Sequence, residues 1–571
     1  MKYLPLFLIV AAWSHCRAEE TSTLWGNSGE LWTPESRLPD FSFAGYRRGE
    51  EPYRVPKERI SVKDFGATGD GKTDDIEAFR KAIAEGEGKV IHIPAGRYVL
   101  SAGLDIQGGQ RVLRGDGTEK TVLLFTRGLE EISPNPSQTS DGKPTSEWSW
   151  GGGLIHVQGS SLTSGEAIRI AAPATRGESK LTLEKEAFQV GDEVILTLRD
   201  GSEQSLLKHL YREQTGDISG LKTFSTQQVF RVKSVSGTEL TLDRALRFDV
   251  RREWSPNLSK FSPNLTDVGI EELAFEFPAT PYAGHWQEVG FNPIQFGSAT
   301  SHCWAKNLRF RNADNGIFVK GLFTTLEGIH FDADRSRLST EGMAGHHGLT
   351  LTGSDCLATG FAFEVSFFHD LTVSRGSIGN VFSKGRAPNM NMDHHRYAPY
   401  ENLFTDLDLG EGTRAFNSGG GITCGQHTAA GETFWNLRSN AYQDWPAKFG
   451  PDQINLVALR MRGGNIREPA ARWIESIRPG GIVPPDLHLA MREHRLGTAG
   501  SAPSVNPTVA TTQRWKSVDG RETEATFGGL QGDQVTLIVR GKPFTLSLDH
   551  LSPESQELAR QMQIQSGSTL K

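Results

Sequence analysis

Cysteine is scarce, four in 571 residues, and Cys16 lies in the first apolar stretch. The other three, Cys303, Cys356 and Cys424, are odd in number and widely spaced, which speaks against a disulfide framework and for buried thiols. Past the N-terminus no stretch approaches the roughly 20 apolar residues a membrane helix requires. An excess of one charge is missing as well. The net charge is −7 with both signs interspersed, so no basic face argues for nucleic acid, and a polyanionic ligand needs a local cationic site. No histidine pair has the helical spacing of a zinc site.

What is present begins with Lys2 and the apolar run Leu4 to Trp13, closing on Cys16-Arg17-Ala18. That pattern reads as a signal peptide over residues 1–18 and predicts a soluble exported chain, secreted, periplasmic or at the cell surface. Glycine is abundant, 63 residues without a collagen period, as in a protein of many turns. Residues 19–58 lack periodicity and read as an arm packed on the main body. Order starts at Arg59: the strand Ile60-Ser61-Val62, glycine punctuation, then Thr73-Asp74-Asp75 capping a helix with apolar face Ile76, Phe79 and Ile83.

The stretch Asp64-Phe65-Gly66-Ala67-Thr68-Gly69-Asp70-Gly71-Lys72-Thr73-Asp74-Asp75, the helix with Ala78-Phe79, and Ile93-Pro94-Ala95-Gly96-Arg97-Tyr98 together resemble the N-terminal signature of the pectate-lyase superfamily. The match covers about 45 contiguous residues and is specific for fold rather than reaction. It implies an all-β chain, a right-handed single-stranded parallel β-helix, and an activity among polysaccharide lyases and glycoside hydrolases. Asp74 and Asp75 sit at the positive end of the helix dipole, a structural role. Calcium, common in such relatives, is a candidate cofactor at Asp406, Asp408 and Glu411, although these residues form no recognisable calcium loop.

The helix is expected to start over residues 59–161 with its capping helix. Short alternating strands such as Asp192-Glu193-Val194-Ile195-Leu196 then predict an antiparallel β subdomain inserted at residues 162–250, whose segment Leu206 to Ile218 is a loop or short helix over a cleft. Residues 251–468 hold the main β-helix. There Asn380-Val381-Phe382 and Asn402-Leu403-Phe404 recur 22 residues apart, a spacing that suits one coil, and the asparagines read as a ladder satisfying backbone at bends. Residues 469–510 are the last coils and a linker. Residues 511–571 read as a small β-barrel resembling a Src-homology-like module of secreted bacterial proteins, which implies attachment to a surface or protein partner.

Histidine supplies the candidate site. Of 16, six fall at His346, His347, His369, His394, His395 and His427. His347 and His369 precede similar strand cores 22 residues apart, which predicts adjacent coils, and His395 follows 26 residues later. Around them lie Lys384, Arg386, Asp393, Arg396 and Arg414, and glycines at Ser418-Gly419-Gly420-Gly421 that allow close approach of the chain. Such a column of imidazoles beside cations suits an anionic sugar. Lysis of a uronate glycan by β-elimination needs carboxylate neutralisation by Arg396, Arg414, Arg386 or Lys384 and a base, His394 or His395. Hydrolysis needs two carboxyl groups about 5 to 9.5 Å apart, for which Asp393, Glu401, Asp406, Asp408 and Glu411 are candidates. A non-catalytic carbohydrate-binding adhesin is the third reading. The imidazole and guanidinium content favours the lyase.

Overall fold

The computed structural model describes residues 20–139, 142–335, 342–497, 513–531, 534–539, 542–556 and 558–559, so the leader at 1–18 and the linker at 498–510 lie outside the described residues. The chain divides into two compact units, Met1–Gly497 and Thr498–Lys571.

In the first unit, helix α1 (Ile76–Glu85) follows the strands Glu58–Ser61 and Asp70–Asp74 and has as its buried face Ile76, Ala78, Phe79, Ala82 and Ile83. That face joins the core of the first coils, beside Val62, Ile91, Tyr98 and Leu104. Its two leading acids divide their work. Asp74 accepts the Ile76 N–H at 3.2 Å, whereas the Asp75 carboxylate turns back to the N–H groups of Thr68 and Gly69 at 2.7 and 3.0 Å and pins the preceding glycine turn. The expected cap is therefore Asp74 alone.

Seven strands then stack in parallel as one sheet: β1 (Leu104–Ile106), β2 (Ile155–Val157), β3 (Ile294–Phe296), β4 (Ile317–Val319), β5 (Gly345–Leu351), β6 (Phe367–Val373) and β7 (Met392–His394). Their register aligns Leu104, Ile155, Ile294, Ile317, Leu349, Leu371 and Met392 in one column. All seven are buried in the core. Because side chains alternate along a strand, the next column, ending in Thr350, Thr372 and Asp393, faces away from it. Elsewhere rings stack coil on coil, as Phe275, Phe310, Phe331 and Phe363 with centroids 5.1, 5.3 and 4.5 Å apart, close to the 4.8 Å separation of neighbouring strands. The chain is a right-handed parallel β-helix.

The asparagine ladder is present. Asn380 Oδ1 accepts the Cys356 N–H at 2.9 Å, Asn402 Oδ1 accepts the Asn380 N–H at 3.1 Å, and Asn402 Nδ2 donates to Glu432 at 2.7 Å. These fully buried amides satisfy backbone at the bend of successive coils. Cys303, Cys356 and Cys424 are free and buried, and burial pushes the first two thiols up to about 12.

Between the early and late coils lies a six-stranded antiparallel sheet, in spatial order Thr163–Arg169, Asn257–Phe261, Glu193–Arg199, Ser225–Ser236, Glu239–Leu242 and Lys180–Thr182. It extends past residue 250 because Asn257–Phe261 pairs with strands on both sides. Its short helix, Ser205–Leu210, buries Leu206, Leu207 and Leu210. Beside that helix the Tyr211 hydroxyl donates to the Gln426 carbonyl and accepts the Ala398 N–H, both at 3.0 Å. The insert is thus tied to the segment that follows β7. The arm packs Trp25, Leu38 and Phe41 against Leu357, Val381, Leu403 and Trp435.

In the second unit, β8 (Gln513–Lys516), β9 (Glu522–Gln531), β10 (Gln534–Val539) and β11 (Lys542–Ser547) form an antiparallel sheet in sequence order. A bridge from Ser517 to Leu551 returns the chain to the first strand. The described strands make this four-stranded sheet; a closed barrel is not seen among the described residues.

Candidate functional site

His347 and His369 are direct register partners on β5 and β6, with ring centroids 4.9 Å apart. His346 adds a ring 4.1 Å from His347. A fourth imidazole comes from the segment between the strand Val268–Glu276 and β3: His285 lies between Trp286 and Phe368, at centroid distances of 4.1 and 4.6 Å, with its Nε2 2.8 Å from His346 Nε2. His395 completes the group, 5.6 Å from His369 and 6.0 Å from His347. It is not in the column of the other two. The register places it one residue beyond the end of β7, and its ring is turned back to the cluster by Asp393.

Asp393 organises this end of the sheet. Its fully buried carboxylate meets His395 Nδ1 at 2.8 Å and His369 Nδ1 at 3.5 Å, and accepts the Gly419 N–H at 3.0 Å. Burial opposes its charge, but His369 and His395 outweigh that cost and hold the carboxyl far below the ordinary range. His395 is one-third exposed. Burial lowers its pKa, Asp393 raises it by more, and Arg375 and Arg396 work against Asp393, leaving a net upward shift. The glycine run contributes as expected from sequence: a Cβ on Gly419 would stand 3.1 Å from the His395 ring. Burial holds His346 and His347 well below the usual histidine value and lowers His285 to about 4, so these rings are neutral at neutral pH.

Cations border the imidazoles. Arg396, Tyr397 and Ala398 take consecutive left-handed φ of 63°, 63° and 53°, a conformation costing about 1–3 kcal/mol at each non-glycine residue. The bend carries the Arg396 guanidinium to the Gly425 carbonyl and to within 3.5 Å of His427 Nε2. Arg375 is exposed and lies 5.3 Å over the Tyr397 ring.

The other sequence candidates lie elsewhere. His394 points into the core, as strand alternation requires, with its ring 4.7 Å from Phe449 and Nε2 3.2 Å from Glu432. His427 is buried beneath Arg396, its Nδ1 3.0 Å from the His394 carbonyl. Arg414 is spent on Asp370 and the carbonyls of Phe368 and Asn389. Lys384 faces Asp486 at 3.5 Å and Arg386 pairs with Glu364, both away from the seven-strand sheet. Of the carboxylates proposed from the sequence, Asp393 joins the cluster and the others do not; Glu288, which the sequence reading did not single out, lies 3.3 Å from His346 Nδ1. Glu401 is bound by Arg247 and Arg176, Asp406 by Arg438; Asp408 accepts the Gly410 N–H and Glu411 faces Asn389. Sequence reasoning missed His285, Trp286 and Arg375. The aromatic-imidazole pair after Gly284 was the available signal.

Two groups among the described residues bring three metal-ligating atoms within 4.8 Å of one another, His285-His346-His369 and His369-Asp393-His395. Calcium does not fit either, because it takes six to eight oxygens and these donors are mainly nitrogen. Nor are Asp406, Asp408 and Glu411 gathered in such a group.

Residues 59–152 match the family described as rhamnogalacturonase A/epimerase, pectate lyase-like, and the resemblance read from Asp64 to Tyr98 stands. A pre-neck appendage protein of Bacillus phage B103 is 47% identical over 66 residues, 12% of this chain and 7% of that protein. Alginate lyase 7 of Azotobacter vinelandii is 32% identical over 97 residues, 15% of this chain and 11% of that protein. The chain therefore spans about a tenth of the curated relatives it matches. Among solved structures, the mannuronan C-5 epimerase AlgE6 A-module of the same bacterium aligns at 12% identity and a TM-score of 0.32, over 70% of this chain and 74% of that one. The tailspike gp49 of Pseudomonas phage LKA1 aligns at 12% identity and 0.35, over 70% and 67%.

Proposed function

We propose that the chain acts outside the cytoplasm on a uronate-containing polysaccharide and cleaves it by β-elimination. The observation that carries this reading is His395, held by the buried Asp393, beside Arg375 and Arg396 in a chain of net negative charge. The leader pattern at 1–18 supports export, and the C-terminal sheet fits an attachment role.

Elimination starts at the carbon bearing the carboxylate, whose proton becomes labile once the carboxylate charge is neutralised. Arg375 supplies a planar donor fork for that carboxylate, backed by Tyr397, and Arg396 adds positive potential. With Nδ1 directed at Asp393, His395 presents Nε2 as the base. The electron pair of the broken C–H bond forms a double bond to the neighbouring carbon, and the glycosidic C–O bond there breaks. The leaving oxygen then takes the proton back from the His395 imidazolium. Trp286, half-buried beside His285, offers a ring on which a sugar stacks. Hydrolysis is less well served here: Asp393 is held by His395 and His369, and the other carboxylate at the cluster, Glu288, is buried behind His346.

The test is ultraviolet absorbance of the unsaturated product during digestion of a panel of uronate polymers, with alginate, the polymer named for one relative, tried first. Absorbance that grows with the wild type and falls on the order of 10²-fold in His395→Ala supports the reading. Reducing ends released without absorbance replace it with hydrolysis, and retention on the polymer without cleavage replaces it with a binding protein.

A further inference from the structure

We propose that His285, His346 and His369 bind one divalent transition-metal ion of the zinc class, which clips the segment carrying Trp286 onto β5 and β6. This inference does not depend on the reaction proposed above.

The three imidazoles come from separate parts of the chain and converge, with all ligating atoms within 4.8 Å of one another. His285 Nε2 and His346 Nε2 face each other at 2.8 Å, an arrangement that accommodates one proton between two nitrogens, or a cation. Bonds of about 2.0–2.1 Å to a tetrahedral ion would set such nitrogens about 3.4 Å apart, so the pair needs to open by only about half an ångström. One of the two rings sits in a half-buried loop segment free of regular structure, the element best able to give.

The surroundings point to a ligand independently. Glu288 and His346 are 4% and 2% exposed, and the Glu288 carboxylate lies 3.3 Å from His346 Nδ1. Yet His346 Nδ1 and Glu288 Oε2 have no hydrogen-bond partner, an uncommon state for buried polar atoms. An ion on His346 Nε2 fixes the proton on Nδ1 and gives it to Glu288. His369 is oriented by two groups at its Nδ1, Asn391 Oδ1 at 3.2 Å and the Asp393 carboxylate at 3.5 Å. A carboxylate behind a ligating imidazole is the arrangement that orients the ring and strengthens it as a ligand.

The donor set selects the ion. Neutral imidazole nitrogens suit zinc, copper or nickel, whereas calcium and magnesium need oxygen. The alternative group, His369-Asp393-His395, shares His369, but Asp393 is already engaged by His395 and the Gly419 N–H. One ion per chain follows.

The experiment strips the full chain with chelator, titrates it with Zn2+, and repeats the titration with Co2+ and with Ca2+. Metal retained after desalting is measured by atomic emission, and Co2+ is followed by its visible absorbance. The expected result is about one zinc per chain, a higher Tm on binding, tetrahedral-type Co2+ bands, and no displacement by excess Ca2+. His285→Ala loses the ion and His395→Ala keeps it. Glu288→Gln, a conservative change that leaves the ligands in place, weakens binding about 10- to 100-fold. The proposal is overturned if no zinc is retained at micromolar concentration, if folded His285→Ala retains it as the wild type does, or if His395→Ala loses it while His285→Ala does not.

Discussion

The outward side of the seven-strand sheet and the faces that carry Asp355, Glu401, Asp406 and Arg386 are built from the same coils, yet they handle charge in opposite ways. On the latter faces acids are matched to guanidinium: Asp355 to Arg244 and Arg247, Glu401 to Arg247 and Arg176, Asp406 to Arg438, Glu364 to Arg386. On the seven-strand sheet five imidazoles, His285, His346, His347, His369 and His395, face two buried carboxylates, Asp393 beside His369 and His395 and Glu288 beside His346, with the exposed Arg375 close by. Paired ions there hold coils and insert together. Imidazoles that outnumber their carboxylates keep a capacity for protons or metal that no partner has consumed.

Breaking the paired side should produce the largest change. Arg247 is 5% exposed at its side chain and lies 3.0 Å from Asp355 and 3.2 Å from Glu401. Arg247→Ala leaves two buried carboxylates short of a partner, with an expected cost of about 3–5 kcal/mol in urea denaturation. The same pair sets a pH dependence. Burial opposes the ionisation of Asp355, but Arg244 and Arg247 outweigh it and lower the folded-state pKa. A depressed carboxyl contributes stability that is present above the unfolded value of about 3.9 and is lost as pH falls through the folded one. Acid titration of stability in Arg247→Ala should therefore be shallower than in the wild type.

On the imidazole side the expected loss is kinetic. His395→Ala lowers the elimination rate on the order of 10²-fold, about 2.7 kcal/mol of barrier. Its stability cost should be smaller than that of Arg247→Ala, because the ring is one-third exposed and His369 and the Gly419 N–H still face Asp393. A comparable fall in both quantities would erase the distinction between the two sides.

The difference between the sides was only partly legible in the sequence. Repeat spacing gave the register: His347 and His369 are partners, and Asn380 and Asn402 form their ladder, because a coil of fixed length brings equal positions together. Spacing does not report which face a residue occupies once a bend intervenes. Lys384 and Arg386 follow Val381–Ser383, a strand outside the seven-strand sheet, so their closeness in sequence to Asp393 carried no spatial meaning. His285 was hidden for the opposite reason, since it reaches the cluster from a loop 61 residues from His346. His394 and His395 were both left as candidate bases, and the structure separates them: His394 turns into the core to Glu432 and Phe449, His395 outward to Asp393.

The ladder itself gives a smaller effect. Asn402→Ala removes the acceptor of the Asn380 N–H and the donor to Glu432, all fully buried. The expected cost is about 1–3 kcal/mol, read as a lower Tm, with activity per folded molecule retained because the ladder lies off the imidazole face.

The smallest change tests the assignment of faces most directly. Arg386 and Glu364 form an ion pair with side chains 55% and 43% exposed, a setting in which water screens the attraction and the pair contributes about 0–1 kcal/mol. Arg386→Ala, Glu364→Ala and the double variant make a cycle whose coupling energy should be at or below about 0.5 kcal/mol and should shrink further at high salt. Turnover of a uronate polymer should stay within about twofold of the wild type, since a cation that never reaches the carboxylate cannot alter the barrier. Arg375→Ala in the same assay is the contrast, expected to raise KM through loss of the carboxylate grip. A tenfold loss in Arg386→Ala at unchanged stability would mean that substrate crosses onto the paired side, and the division between the two faces would fall with it.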